Sequence, residues 1–245
     1  TIAAQVLEKH LKRGSKIYII IDADVDGFTS TAVLYNYLEK NYREKYLNYT
    51  IDYHIPTGKE HGLNTLMNDL GTSKKYDLII LPDAGSNDIN EHKVLKELGY
   101  DIICLDHHMV SETTDSAIVV NNQSSNKYEN KSLSGVGVVY KFLQLLDKMN
   151  GWNDADSYLD LVAAGQCADM MDLNSLENRF ITTYGFSHIR NEGLKQLLKL
   201  QSYSILGKYS ANITDSELET SFITPISVSF YIAPLINALI RVGTD

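Results

Sequence analysis

Five short runs of β-branched and aliphatic residues divide the first half of the chain. They are KIYIIID (16–22), TIDYHIP (50–56), DLIILP (77–82), DIICLD (101–106) and AIVVN (117–121). Each is rich in Ile and Val and bounded by turn-forming residues, the pattern of a strand. Longer amphipathic patterns at 27–41, about 61–70 and 87–98 lie between them. Strands separated by helices pair through βαβ crossovers. The prediction is therefore an α/β fold: a mainly parallel five-stranded sheet with helices on both faces. After about residue 132 the pattern turns helical, at 134–151 with Gly151 as its stop, 158–173, 175–190 with Ser175 as a possible cap, and 191–201. Residues 202–224 read as polar and irregular, and an apolar segment follows at 226–241.

A chain of 245 residues with 44% hydrophobic content can bury the core such a sheet needs. Its net charge of -9 argues against a broad basic surface for nucleic acid. Clustered carboxylates that hold divalent cations would make that formal charge misleading. Two separated cysteines, Cys104 and Cys167, exclude a disulfide framework and fit a reducing compartment. No leader pattern opens the chain, and the apolar stretch ISVSFYIAPLINALI is too interrupted to span a bilayer. The expectation is a cytoplasmic protein without membrane contact. The 16 tyrosines are read as compositional bias before stacking platforms for bases.

In open parallel sheets, ligands bind beyond the carboxyl ends of the strands. Asp22, Asp24 and Asp26 follow the first strand, Asp83 ends the third, and Asp106, His107 and His108 end the fourth. An Asp at one strand end is often a turn or helix cap, and a lone His-His pair is usually a surface feature. Three such endings on one sheet edge carry more weight. Carboxylates with one or two imidazoles suit Mn²⁺ or Mg²⁺, and their number suggests two ions. Two metals ~3.5–4 Å apart can activate a water and clamp a phosphoryl group, which makes phosphoester hydrolysis the leading chemistry. The ions would also supply the positive charge that three neighbouring aspartates lack. Gly27 is expected to let the chain turn sharply into the next helix.

These residues resemble the motifs of the DHH phosphoesterase superfamily. Asp24-Val25-Asp26-Gly27, Asp83 and Asp106-His107-His108 match its first three motifs, and LVAAGQCADMMDL (161–173) is similar to the fourth, with Asp169 in the ligand position. Other branches carry a His four residues before the first Asp of DxD, where this chain has Ile20. The RecJ branch has an Asp two residues before it, as Asp22 is here. IPTGKEHGLN (55–64), SGVGVVYKF (134–142), LENRF (176–180) and IAPLINALIR (232–241) resemble further RecJ elements. The resemblance implies 5′-to-3′ hydrolysis of single-stranded DNA in recombination and repair, with two Mn²⁺ or Mg²⁺ ions, alongside helicase and single-strand-binding protein.

Carried over residue by residue, Asp24, Asp26, Asp83, His107 and Asp169 would be metal ligands, with Asp83 bridging. Asp22 would be a ligand or an outer partner. His108 would contact the scissile phosphate, and Asp106 and Asp83 belong to the same catalytic group. Gly135 and Gly137 would bring backbone close to a phosphate, and Asn237 and Arg241 would contact the strand. The chain departs from the family at Gly58, where Arg is usual with Lys59 adjacent here, and at His61-Gly62, where Tyr-Gly is usual. Leu235, Leu239 and Ile240 replace the usual residues of the last segment. The metal site thus reads as complete and the DNA track as altered. The expected division is a catalytic domain over 1–225, with 226–245 as the start of a connector toward a DHH-associated domain absent from the chain. The alternatives are a phosphodiesterase for oligonucleotides or cyclic dinucleotides, against which Ile20 and the LENRF element speak, and a non-catalytic DNA-binding relative, against which the filled ligand positions speak.

Overall fold

All five expected strands form and pair in parallel, in the order β2-β1-β3-β4-β5. They are β1 (Lys16–Ile20), β2 (Thr50–His54), β3 (Leu78–Pro82), β4 (Asp101–Asp106) and β5 (Ile118–Asn121). The computed structural model describes residues 1–58, 60–207 and 223–242, without the side chain of Arg241. Lys59 and most of segment 202–224, which is expected to be irregular, lie outside the described residues, as does the side-chain role expected of Arg241, while the start of that segment, Ser202–Leu206, is helical.

The central strands read as unbroken apolar runs because both sheet faces are covered. Alternate residues serve opposite cores. Ile17, Ile19, Leu78, Ile80, Ile103 and Leu105 pack on one face, under α1 (Ile2–Arg13), α2 (Val25–Tyr42) and α5 (Gly135–Asn150). Ile20, Ile79, Leu81, Ile102 and Cys104 pack on the other, with Leu70 of the short α3 (Met67–Leu70) and Leu95 of α4 (Ile89–Glu97). All five residues of β3 are buried, and each aliphatic side chain so removed from water contributes ~1.5–3 kcal/mol.

The helical half follows, with α6 (Leu159–Ala168), α7 (Leu176–Ser187), α8 (Glu192–Leu200) and α9 (Ser202–Leu206), then α10 (Ala233–Val242). Helix α5 stops at Gly151, in the left-handed region as expected. Helix α6 ends at Ala168 rather than 173, because Met170 has φ 55 and ends the helical run. Ser175 stands at the N-cap of α7 but its side chain makes no capping bond, whereas Asn191 caps α8 through the Leu194 N–H. Helix α1 was not foreseen. Its signal is present: Ala3, Ala4, Leu7 and Leu11 form a buried stripe, Lys12 and Arg13 lie in the last turn, and Gly14 closes it with φ 75.

The last segment is seated on the domain. Val228 and Ile232 are buried, and Ser229 Oγ–H donates to the Cys167 carbonyl of α6 at 2.6 Å. Both cysteines are free and buried. Among the described residues, no helix is long and apolar enough to cross a membrane.

Candidate metal centre

The strand order reverses between β1 and β3, since the chain leaves β1 toward β2 on one side and returns to β3 on the other. At that switch point the crevice beyond the carboxyl ends is open to ligand. Asp22, Asp24 and Asp26 follow β1, and Asp83 follows β3. Asp24 caps α2, accepting the Gly27 N–H at 3.0 Å through Oδ1. Capping and ion binding are compatible, because a carboxylate has a second oxygen and further lone pairs. Asp26 is 2% exposed and faces the start of α5, where Gly135 and Val136 donate their N–H groups to Oδ2 and Oδ1 at 2.6 and 3.1 Å. The N-terminal ends of α2 and α5 thus favour its charged form.

Asp83 is the strained member, with φ 67, a region that non-glycine residues seldom adopt. Its N–H extends the sheet ladder to the Leu105 carbonyl at 2.8 Å. Its Oδ1 is buried without a hydrogen bond. His107 Nε2 stands 3.3 Å away, without hydrogen-bond geometry, and lies 3.9 Å from Asp26 Oδ2 and 3.5 Å from Asp169 Oδ2. Asp169 sits at the C-terminal end of α6, where the helix dipole disfavours a carboxylate.

This is a carboxylate cluster short of positive charge. Burial, then the neighbouring Asp169, pushes the Asp26 carboxyl up to about 7. Burial and the adjacent Asp26 hold Asp83 well above the ordinary range. Burial and Asp24 raise Asp169 to about 6. Burial and the nearby His108 lower His107 to about 4, so its ring is neutral and can serve as a ligand. Among the described residues, no Lys or Arg forms an ion pair with Asp22, Asp24, Asp26, Asp83 or Asp169. Three overlapping groups place ligand atoms within 4.8 Å of one another: Asp22, Asp24 and Asp83; Asp26, His107 and Asp169; and Asp83, His107 and His108. Asp83 and His107 each belong to two of them. An orphaned buried oxygen, oxygen-rich donors and a neutral imidazole fit a pair of hard divalent ions.

Asp106 differs from the rest. Its Oδ1 accepts the backbone N–H groups of His107 and His108 at 2.7 and 3.1 Å, and also His108 Nδ1 at 2.8 Å. Its Oδ2 accepts the Ser86 N–H at 2.9 Å. Burial works against its charge, yet hydrogen bonds from His108 and Ser86 outweigh that and hold the carboxyl well below the usual range. Asp106 therefore positions the histidine pair. The hydrogen bond that Nδ1–H donates to Asp106 raises His108 to about 9. The His108 ring is part-exposed, with Nδ1 bound and Nε2 left for a ligand.

Close-packed glycines set the remaining geometry. A Cβ on Gly135 would overlap the Asp83 carboxylate, and one on Gly165 would meet Thr29 and Asp26. Gly135 thus lies directly behind the candidate ligand Asp83, and the Gly137 N–H is engaged by the Ser134 cap at 3.4 Å. Gly27 is not a turn residue. It lies inside α2, where a Cβ would come 2.5 Å from the Asp22 carbonyl. The helix starts two residues earlier than expected and packs against the loop that carries the aspartates. Asn237 is half-buried in α10, with its Oδ1 buried and unpaired.

Several contributors were not foreseen. Asn121 ends β5 and donates to the His108 carbonyl and to Ser86 Oγ, both at 2.9 Å. The strand-end rule that found Asp83 could have found it. Asn178 is fully buried and donates to the carbonyls of Ser132 and Asp172 at 2.7 and 2.8 Å. It ties the loop before Gly135 to the loop after Asp169.

The motifs and their geometry match a described family. The model for the DHH family, N-terminal domain, matches residues 16–166, and the chain belongs to that family. Among individual relatives it is similar to YorK of Bacillus subtilis (strain 168), named as an SPbeta prophage-derived single-strand DNA-specific exonuclease. The two are 40% identical over 99% of this chain and 38% of the relative. Identity to the single-stranded-DNA-specific exonuclease RecJ of the same organism is 35%, over 98% of this chain and 28% of RecJ. The chain thus spans well under half of these relatives' length. The structure of exonuclease RecJ bound to manganese superposes with a TM-score of 0.76 at 28% identity, over 99% of this chain and 57% of that one. RecJ of Thermus thermophilus in complex with Mn²⁺ gives 0.68 at 26% identity, over 95% of this chain and 31% of that one.

Proposed function

We propose that this chain is the metal-dependent phosphodiesterase core of a RecJ-like single-strand DNA exonuclease that works in the 5′-to-3′ direction. The observation that carries the reading is the buried, unpaired Asp83 Oδ1 at the junction of two ligand groups. Asp22, Asp24 and Asp83 would hold one Mn²⁺ or Mg²⁺ ion, and Asp26, His107 and Asp169, with Asp83 shared, the other. Bound there, the ions would supply an activated water and a clamp for a phosphoryl group.

The chain's own residues prepare that chemistry. The raised carboxyls of Asp26 and Asp169 would release their protons to solvent on holding an ion, so affinity should strengthen as pH rises. His107, kept neutral, offers a lone pair at Nε2. His108, kept charged by Asp106, offers an N–H to a non-bridging phosphate oxygen and would steady the charge that develops there. Gly135 and Gly137 bring the backbone of α5 against the ligand cluster, and Asn237 and Arg241 are proposed contacts for the strand. Residues 1–225 would be the catalytic domain and 226–245 the connector toward a further domain. A cytoplasmic setting beside helicase and single-strand-binding protein fits this reading.

The test is a Mn²⁺ digestion series on long single-stranded DNA, duplex DNA, a dinucleotide and pyrophosphate. The expected result is mononucleotide release from 5′-labelled single strands, with duplex and pyrophosphate spared. Equal rates on dinucleotide and long DNA would favour a small-molecule phosphodiesterase. Strand binding without hydrolysis would favour a non-catalytic relative.

A further inference from the structure

His61 reaches the cluster from outside the motifs. Its Nδ1 lies 2.6 Å from Asp22 Oδ1, and its ring meets that of His108 edge-on at 5.5 Å. An ionised carboxylate only accepts, so Nδ1 carries the proton and donates. The loop that brings it there is braced at both ends. On one side Glu60 accepts from His54 at 2.7 Å and from the Thr57 N–H and hydroxyl at 3.0 Å each. On the other side the Leu63 N–H donates to Asp88 Oδ2 at 2.7 Å. Gly62, between them, has φ 63, and a Cβ there would overlap the Asp88 carboxylate. The loop is thus preset by contacts that do not involve the cluster, and His61 is held against Asp22 from the solvent side.

Resting on the two-ion reading above, we infer that His61 is the positioning residue for the ion held by Asp22, Asp24 and Asp83. Its Nδ1–H fixes the Asp22 carboxylate, while Asp26, His107 and Asp169, which with the shared Asp83 would hold the other ion, accept no hydrogen bond from it among the described residues. Ligating groups are oriented by outer hydrogen-bond partners, whose loss typically weakens metal affinity ~10–100-fold. The usual order is a carboxylate orienting a histidine. Here a histidine orients a carboxylate. Asp22 otherwise has no hydrogen bond to its side chain among the described residues.

Calorimetric titration with Mn²⁺ in the absence of DNA tests this on wild type, His61→Ala and His61→Asn. Asparagine can place an amide N–H where Nδ1–H stands. The expected result is two ions in wild type and a ~10–100-fold loss at one of them in His61→Ala. The second ion should be unchanged, and His61→Asn should recover most of the loss. His61 is half exposed, so thermal melts of the metal-free variants should match wild type. Two unchanged affinities in His61→Ala would overturn the inference while leaving the two-ion reading intact. A loss that His61→Asn does not recover would overturn the hydrogen-bond basis. Failure of wild type to bind two ions would bring down the two-ion reading, and this inference with it.

Discussion

The two ends of β4 carry the same kinds of residue and do opposite things. At its start, Asp101 accepts from His10 Nε2 at 3.0 Å, and His10 Nδ1 meets Ser15 Oγ at 3.0 Å. On paper this is a Ser-His-Asp arrangement. Ser15, however, is 2% exposed, and its Oγ is held by Arg13 Nε at 2.6 Å. Lys96 pairs with Asp101 at 3.2 Å. Every polar atom of that cluster has a partner, and the cluster braces α1 against the sheet. At the other end of β4, Asp106 is equally well partnered, but the carboxylates around it are not. The carboxylates of Asp26, Asp83 and Asp169 face one another around the neutral His107, and Asp83 Oδ1 has no hydrogen bond. A satisfied cluster is a structural element. An acidic cluster short of positive charge at a switch point is a candidate site for a cation.

That contrast can be broken by substitution. Asp83→Asn should abolish Mn²⁺-dependent nucleotide release, beyond the ~100-fold that losing an outer partner brings. It should not lower the melting temperature of the metal-free protein, because it removes a buried, poorly compensated carboxyl. Gly135→Ala should reduce activity by ~100-fold, since a Cβ there displaces the Asp83 carboxylate and sub-ångström placement governs such steps. Metal affinity by calorimetry should fall in parallel. His10→Ala should act in the opposite sense. It leaves Ser15 and Asp101 short of a partner at a cost of about 1–3 kcal/mol in chemical denaturation, with Mn²⁺ affinity unchanged.

The smallest effect is the pH dependence of the metal-free protein. Asp26 and Asp169, raised to about 7 and about 6, keep protons that unfolded carboxyls lose near pH ~4. The folded state then binds more protons, and their contribution to stability falls as pH rises through that window. His107, lowered to about 4, acts oppositely, its contribution rising from pH ~4 to ~6.5. His108, raised to about 9, adds stability that is fully present below pH ~6.5 and lost toward its folded value. The net expectation is a melting temperature that declines from about pH 6.5 to 9. The gain on adding Mn²⁺ should grow over the same range, because binding displaces protons. A Mn²⁺ gain independent of pH would count against Asp26 and Asp169 as ligands.

The sheet and the candidate ligand residues were legible because both follow local rules. Apolar period and turn residues mark the strands, and Asp or His directly after a strand marks the switch-point edge. Asp24 caps α2 and still has lone pairs free for an ion, so the two roles are compatible. What the sequence hid was contact between distant segments. His61 meets Asp22 only because β2 lies beside β1. Gly135 reads as a helix start, and only the fold shows Asp83 filling the space where its Cβ would be. Asn178 is one polar residue in an amphipathic helix until the loops at Ser132 and Asp172 close around it. Helix α1 is a different case, since its stripe and its Gly14 stop were in plain view.

The most direct test of the central claim is anomalous diffraction from crystals of this protein grown with Mn²⁺. Two manganese peaks are expected at the carboxyl edge of the sheet with Asp83 in contact with both, and none beside His10 and Asp101. A single peak away from Asp83, or an edge that stays empty at saturating Mn²⁺, would contradict it.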